Sequence, residues 1–131
     1  MKNHHPHILL AEDNFINQKV ADKILSKAGF TLDIASNGEK AVEYYSSKKY
    51  DVILMDVHMP LMDGYEATAK IREIEKKLNK HTHIIAMTGS VLEGDKEKCI
   101  SAGMDDYLTK PINVDKLKKK INAVGDSAAI H

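Results

Sequence analysis

The 131-residue chain lacks several features that mark particular classes of protein. Cys99 is its only cysteine, so no disulfide can form within the chain. The 19 basic and 19 acidic residues balance, which gives no indication of a nucleic acid or a membrane surface as a partner. No apolar run approaches the roughly 20 residues of a membrane-spanning helix, and the apolar run in MKNHHPHILLA is too short for a signal peptide. We therefore expect a cytoplasmic domain without membrane contact of its own, whereas a longer parent protein could carry a membrane anchor.

Histidine is more plentiful, with seven residues, but its spacing does not indicate a metal site. His4, His5 and His7 lie at the start of the chain, and His81 and His83 are two residues apart. Neither group has a cysteine or a further histidine at the spacing of structural zinc sites. A metal, if one binds, is expected to take other ligands.

Short apolar runs alternate with longer helical patterns along the whole chain. Strands are predicted at 7–11, 31–35, 51–55, 83–87 and 105–108. Five strand–helix pairs in strict alternation predict an α/β fold with a five-stranded parallel sheet, doubly wound as (βα)5 with right-handed crossovers. No linker or internal repeat interrupts the pattern. We expect a single domain over residues 1–131, with a core of about 7–124 and loose ends at 1–6 and 125–131.

Helices are predicted from apolar residues that recur at helical spacing after each strand. Four apolar stripes are Ile16, Val20 and Ile24; Ala41, Val42 and Tyr45; Ala67, Ile71, Ile74 and Leu78; and Val114, Leu117, Ile121 and Val124. A further helix is predicted around Leu92, Lys96, Cys99 and Ile100. Asn14, Asp63 and Asn113 are expected to cap helices, and Gly29 and Gly103 to end them. Asn37-Gly38 is predicted to be a turn.

Polar residues collect just after the strands, where parallel α/β proteins place their sites. Glu12 and Asp13 follow the first strand, and Asp56 follows the third. The segments Thr88-Gly89-Ser90 and Thr109-Lys110-Pro111 follow the fourth and fifth. These ends are expected to meet in one pocket that holds carboxylates, a hydroxyl and an ammonium group.

The groups expected in this pocket indicate which chemistry it could carry out. Carboxylates at close quarters repel one another, and a cluster of them usually holds a cation. Ligands that are all oxygen favour Mg²⁺, which prefers one or two carboxylates together with water and phosphate oxygens. A carboxylate can also act as the nucleophile toward a phosphoryl group. Asp56 is the best-placed nucleophile because it ends a central apolar strand and has acidic residues and a basic residue around it.

At these residues the chain resembles the receiver domain of two-component response regulators, over essentially its whole length. The resemblance is carried by EDN after the first strand, MDVHMPLMDGYEA around Asp56, MTG after the fourth strand and DDYLTKP at the fifth. The stretches EDNFINQKVA and GDKEKCISAGMDDYLTKPI resemble most closely the receivers of hybrid sensor histidine kinases. The resemblance implies a flavodoxin-like strand order of 2-1-3-4-5.

The resemblance also implies how the metal and the acceptor are arranged. Asp56 would accept a phosphoryl group and form an aspartyl phosphate. Asp13 and Asp56 would bind Mg²⁺ directly, Glu12 would act through water, and the backbone carbonyl of His58 would complete the protein ligands. Mn²⁺ is a possible substitute.

Other residues would bind the phosphoryl group and respond to it. Lys110 would pair with the acceptor carboxylate and then with phosphoryl oxygens, helped by the Thr88 hydroxyl and the backbone N–H of Gly89. Thr88 and Tyr107 would form the switch. The Lys110-Pro111 peptide bond would be cis.

The implied function is that of a phosphorelay switch. A histidine kinase dimerisation domain or a histidine phosphotransfer domain would supply the phosphoryl group from a phosphohistidine. The surface of the fourth helix, fifth strand and fifth helix would then change, for a partner or for a homodimer. The domain would catalyse its own phosphorylation and dephosphorylation without being a turnover enzyme, although a hybrid parent could be a kinase.

Three other functions fit these residues less well. A receiver that binds partners without phosphorylation would use the same fold. A phosphohydrolase with Asp56 as nucleophile would need a general acid two residues later, where His58 stands. A flavin-binding flavodoxin-like protein would need a phosphate loop after the first strand, where AEDN would repel a phosphate.

Overall fold

Strands and helices alternate in the order predicted. The computed structural model describes residues 7–89, 95–109 and 113–130, with the backbone alone for Asp95 and 123–130. Within these ranges the elements are β1 (His7–Ala11), α1 (Phe15–Lys27), β2 (Thr31–Ala35), α2 (Gly38–Ser47), β3 (Val52–Asp56), α3 (Gly64–Leu78), β4 (His83–Thr88), α4 (Asp95–Ala102), β5 (Asp106–Thr109) and α5 (Val114–Ile130).

The strands form one parallel sheet in the order β2-β1-β3-β4-β5, as the resemblance implies. β3 lies at the centre, and all of its residues are buried. Ile53 and Met55 pack in one hydrophobic cluster, while Val52 and Leu54 pack in the other. Because successive side chains of a strand point to opposite faces, a continuous apolar run suits a strand that helices cover on both sides.

Helix starts follow from side-chain caps. The side chains of Asn14 and Asp63 accept hydrogen bonds from the third helical N–H of α1 and α3, and Asp63 also forms a capping box with Glu66. Asn113 accepts from the N–H of Lys116 at 3.0 Å at the start of α5. These three caps are confirmed. The predicted turn at Asn37 is wrong, because the Asn37 side chain caps α2 instead.

The helix predicted from the spacing of Ile16, Val20 and Ile24 is confirmed as α1, but these residues do not form its buried face. Ala21 and Leu25 are the buried residues of this helix, and Ile24 is half-buried. Ile16 and Val20 are 65% and 52% exposed. Spacing identifies residues on one face of a helix, but it does not show whether the sheet covers that face. Leu78 of α3 and Ile100 of α4 are exposed for the same reason.

Element boundaries differ slightly from the prediction. β3 and β5 each begin one residue later, because Asp51 and Asp105 accept hydrogen bonds with their side chains at the strand entrances, from the N–H groups of His7 and Ile84 at 2.8 Å each. α5 continues to Ile130, past the loose end predicted from residue 125. Leu92 and Pro111, for which predictions were made, lie outside the described residues.

A buried polar network lies at the amino-terminal entrance of β4 and β5, at the opposite end of the sheet from Asp56. We call it the amino-edge network; its members are Tyr45, Arg72, Glu75, Thr82 and Asp105. Arg72 donates to Glu75 at 2.6 Å, to Asp105 at 2.7 Å and to the carbonyl of Thr82 at 2.8 Å. It also donates to the carbonyl of Gly103 at 2.8 Å. One guanidinium therefore joins α3 to the end of α4 and the entrances of β4 and β5.

The network stabilises its carboxylates in the charged form. Burial alone would raise the pKa of Glu75, but hydrogen bonds from Tyr45, Arg72 and the N–H of Thr82 outweigh it and hold the pKa below its usual value. Burial likewise opposes ionisation of Asp105, and the N–H of Ile84, His81 and Arg72 together lower the pKa of Asp105. Burial beside Glu75 raises the pKa of Tyr45 to about 12, so its hydroxyl stays a donor.

Candidate functional site

The register of the sheet places the acidic segments side by side. Ala11 pairs with Met55 between β1 and β3, so the residues that follow them, Glu12 and Asp56, are neighbours at the carboxyl edge. Asp56 pairs with Met87 of β4, and Thr88 comes next along that strand. The sheet therefore brings three strand ends together at one place.

Three carboxylates converge at this edge. Ligand oxygens of Glu12, Asp13 and Asp56 all lie within 4.8 Å of one another. Glu12 and Asp56 are 3% and 4% exposed, while Asp13 is open to solvent. Like charges at this distance are unfavourable without a cation, and an all-oxygen donor set with one solvent-facing member suits Mg²⁺ with several waters. The residues therefore fit the predicted metal.

Backbone donors hold the two buried carboxylates. The N–H of Asn14 donates to Oε2 of Glu12 at 3.1 Å, and the N–H of His58 donates to Oδ1 of Asp56 at 3.2 Å. The side-chain amide of Gln18 donates to the backbone carbonyl of Glu12 at 2.7 Å. Helix α1 and the β3–α3 loop thus support the cluster from two sides.

The loop after Asp56 requires a glycine at position 64, where its backbone comes back to the end of β3. Gly64 donates its N–H to the carbonyl of Val57 at 3.1 Å. A Cβ on Gly64 would overlap the backbone carbonyl of Asp56, so no larger residue fits without moving the acceptor. Leu61, at the tip of this loop, is 79% exposed and has a positive φ of 67°. His58 is exposed, and the predicted role of its backbone carbonyl stays a prediction.

The remaining predicted residues lie around this edge or outside the described ranges. Thr88 ends β4 with 5% exposure, and Gly89 follows it at the surface. Tyr107 of β5 is half-buried, and Nζ of Lys96 lies 5.9 Å from the centre of its ring. Lys110, Pro111 and Ser90 lie outside the described residues, so their predicted roles stay predictions.

Two features of the site were missed by the sequence-based reasoning. Gln18 reaches six residues back to the acidic segment, and no periodicity marks such a contact. Phe15, Ile16 and Val20 form an exposed apolar patch that begins two residues after Asp13, with exposures of 64%, 65% and 52%.

Comparison with known proteins decides the family. The family model described as "Response regulator receiver domain" matches residues 8–122. The chain belongs to this family. It is a receiver domain of the two-component phosphorelay type. Over 120 residues it is 48% identical to a hybrid signal transduction histidine kinase of Dictyostelium discoideum, covering 88% of this chain and 7% of that protein.

Two solved structures extend the comparison. The receiver domain of a sensor histidine kinase from Pseudomonas aeruginosa, with a magnesium ion coordinated in its active site cleft, is 39% identical. It has a TM-score of 0.83, with 93% of this chain and 99% of that chain covered. A yeast receiver domain, solved with a histidine phosphotransfer protein from Saccharomyces cerevisiae, is 34% identical. Its TM-score is 0.86, with 95% and 92% of the two chains covered.

The receiver domain corresponds to a small part of the curated relatives that it matches, between 7% and 15% of the length of the first three. In the described part of the chain, no helix is long and apolar enough to cross a membrane.

Proposed function

We propose that this receiver domain accepts a phosphoryl group on Asp56 and that the transfer requires Mg²⁺. The convergence of Glu12, Asp13 and Asp56, with ligand oxygens within 4.8 Å of one another, carries the proposal. The magnesium ion in the Pseudomonas aeruginosa neighbour supports it. Mn²⁺ also accepts oxygen ligands and is expected to substitute.

The metal ligands would be Asp13 and Asp56 directly, Glu12 through water, and the backbone carbonyl of His58. When bound, Mg²⁺ would neutralise the carboxylates and the charge on the phosphoryl oxygens. The buried position of Asp56 at the end of β3 keeps the acceptor in a fixed direction, which favours in-line attack.

The proposed reaction is transfer from a phosphohistidine of a partner. An oxygen of Asp56 attacks the phosphorus, the new O–P bond forms as the N–P bond breaks, and the histidine nitrogen keeps the electron pair and takes a proton. The N–H of His58 holds the carboxylate at 3.2 Å. Lys110, the Thr88 hydroxyl and the Gly89 N–H would bind the phosphoryl oxygens. Water would later cleave the acyl phosphate and restore the carboxylate.

We further propose that phosphorylation changes the α4–β5–α5 surface. A phosphoryl group adds charge and acceptors beside Thr88, which ends β4, and Tyr107 on the adjacent strand would follow it. A cis bond before Pro111 would place Lys110 at the site. The changed surface would bind an output partner or a second copy of the domain.

The partner that supplies the phosphoryl group would be a histidine phosphotransfer domain or the dimerisation domain of a histidine kinase. The yeast neighbour was solved with a protein of the first kind. The exposed apolar residues Phe15, Ile16 and Val20 of α1, which begins two residues after Asp13, would form the docking surface. Because the similar Dictyostelium discoideum protein is a hybrid kinase, the parent of this domain is proposed to be one as well.

Intact-mass measurement tests the acceptor. With Mg²⁺ and phosphoramidate, one phosphoryl adduct is expected on the wild-type domain. The adduct should be absent in Asp56→Asn and without Mg²⁺. Beryllofluoride, which mimics the phosphoryl group, should raise the thermal midpoint in a Mg²⁺-dependent way if the adduct is too short-lived to detect. Failure of both would favour a receiver that binds partners without phosphorylation.

A second arm of the same experiment tests docking. A phosphorylated histidine phosphotransfer protein replaces phosphoramidate, and Ile16→Ala is compared with Leu78→Ala, a matched loss of an exposed apolar side chain on α3. Ile16→Ala should slow transfer from the protein at least about fivefold, since central interface residues contribute about 1 kcal/mol or more. Labelling by phosphoramidate should not change. Equal effects of the two variants would contradict docking on α1.

A further inference from the structure

Gln18 makes a contact that the proposed reaction does not yet explain. Its side-chain Nε2 donates to the backbone carbonyl oxygen of Glu12 at 2.7 Å, across six positions and outside the hydrogen-bonding pattern of α1. The side chain is half-buried, whereas the neighbouring residues Asn17 and Lys19 are exposed. Helix α1 already has its cap, because Asn14 accepts from the N–H of Asn17 at 3.0 Å. The Gln18 contact is therefore not needed to start the helix.

The carbonyl that Gln18 holds belongs to the peptide group that joins Glu12 and Asp13, the two acidic residues that follow β1. A peptide group is planar, so fixing the Glu12 carbonyl also fixes the N–H and Cα of Asp13. The other side of Glu12 is fixed by its N–H, which donates to the carbonyl of Ala35 at 3.0 Å. Asp13 is exposed, and burial does not fix its direction. The orientation of this metal ligand depends on the peptide group before it.

We propose that Gln18 is a positioning residue for the divalent cation. It holds the Glu12–Asp13 peptide so that the Asp13 carboxylate stays near those of Glu12 and Asp56, within the 4.8 Å cluster. Outer groups that orient metal ligands commonly change metal affinity 10- to 100-fold when they are lost. The inference rests on the proposed function, because it assigns Gln18 a role toward the same metal.

The hydrogen bond from Gln18 also connects α1 to the proposed metal site. The docking patch and Gln18 lie on one short helix, and the helix reaches the Glu12 carbonyl through Gln18.

Replacement of Gln18 by methionine tests the proposal, because methionine has similar length and no donor. Mg²⁺ binding is measured by titration calorimetry on the wild-type domain, Gln18→Met, Gln18→Ala and the control Asn17→Ala. Both Gln18 variants should bind Mg²⁺ about 10-fold more weakly. The metal-free thermal midpoints of all variants should stay close to the wild-type value. Asn17→Ala should bind Mg²⁺ as the wild type does.

The outcomes separate the two proposals. If the wild-type domain binds Mg²⁺ and takes a phosphoryl group, but both Gln18 variants bind Mg²⁺ equally well, the positioning role is wrong and the proposed function stands. A Gln18→Met effect that appears only as a lower thermal midpoint, with unchanged affinity, would show a structural role alone. If the wild-type domain binds no Mg²⁺, both proposals fail. Should one Gln18 variant not fold, the other decides.

Discussion

Thr68 of α3 is a polar residue placed in an apolar interior. Its side chain is fully buried, and its hydroxyl has no hydrogen-bond partner among the described residues. A buried hydroxyl without a partner is unfavourable by about 1–3 kcal/mol relative to a satisfied one. The methyl group of Thr68 packs close to Gly103, between α3 and the end of α4.

We therefore expect Thr68→Val to leave stability unchanged or raise the free energy of unfolding by about 1 kcal/mol. Valine has the same shape and also branches at Cβ, so the change removes the hydroxyl alone. Thr68→Ser keeps the hydroxyl and loses the buried methyl, and it should lower the free energy of unfolding by about 1 kcal/mol. Urea unfolding measures both. A clear loss of stability in Thr68→Val would mean that the hydroxyl has a partner after all.

At the scale of the elements, Arg72 joins parts that are distant in sequence. Its side chain is 16% exposed, and it pairs with Glu75, which is 3% exposed, and with Asp105, which is 21% exposed. The amino-edge network thus fixes the entrance of β5 to α3, while the proposed switch lies at the opposite edge of the sheet. This arrangement would confine movement of α4 and β5 to their ends near the proposed phosphoacceptor.

Arg72→Gln should lower the free energy of unfolding by about 3–5 kcal/mol, because it leaves two partly desolvated carboxylates without their cation. Arg72→Lys keeps the charge but not the fork of donors, and an intermediate loss is expected. The exposed Lys76 on the same helix provides the control, with a change of about 0.5 kcal/mol or less for Lys76→Gln. Urea unfolding of the three variants checks the order. An Arg72→Gln effect no larger than that of Lys76→Gln would contradict the network's role.

At the scale of the whole molecule, the displaced pKa values predict how stability depends on pH. The pKa values of Glu75 and Asp105 lie below their usual values because hydrogen bonds and Arg72 outweigh burial. Burial alone would raise the pKa of Asp33, but hydrogen bonds from Tyr50 and Lys48 hold it below its usual value. For His83, burial lowers the pKa despite Asp105 and Asp106 nearby.

All four pKa shifts make the folded state less stable as the pH falls. For the three carboxyls the unfolded chain binds protons more readily, so their contribution is present above pH about 4 and is lost as the pH falls through the folded pKa. For His83 the folded state favours the neutral ring, so stability also falls as the pH drops below about 6.5. Stability should therefore decrease as the pH falls from 7 to 3.

Urea unfolding over this pH range measures the effect. The measurement is best made on the Asp56→Asn domain, because loss of this carboxylate reduces the repulsion among the carboxylates of the site. His83→Gln should remove the slope between pH 5.5 and 7 and retain the decrease at lower pH. Constant or rising stability on acidification would overturn the assignment of these groups.

Much of the molecule follows from local patterns in the chain. Apolar runs of strand length, and caps such as Asn14 and Asp63, act through neighbouring residues, so the elements and their order could be predicted. The parallel sheet then places Glu12, Asp13 and Asp56 at one edge, because carboxyl ends of parallel strands meet there. The resemblance to receiver domains added the strand order, which the observed sheet confirms.

Contacts between distant segments were decided by the tertiary structure alone. Helical spacing could not show that the sheet covers Ala21 and Leu25 and leaves Ile16 and Val20 in solvent, because that depends on how α1 lies on its neighbours. The bonds from Arg72 to Thr82, Gly103 and Asp105 likewise depend on packing between elements. Local propensities specify which elements form, but burial and long-range hydrogen bonds specify which of their faces remain available for binding.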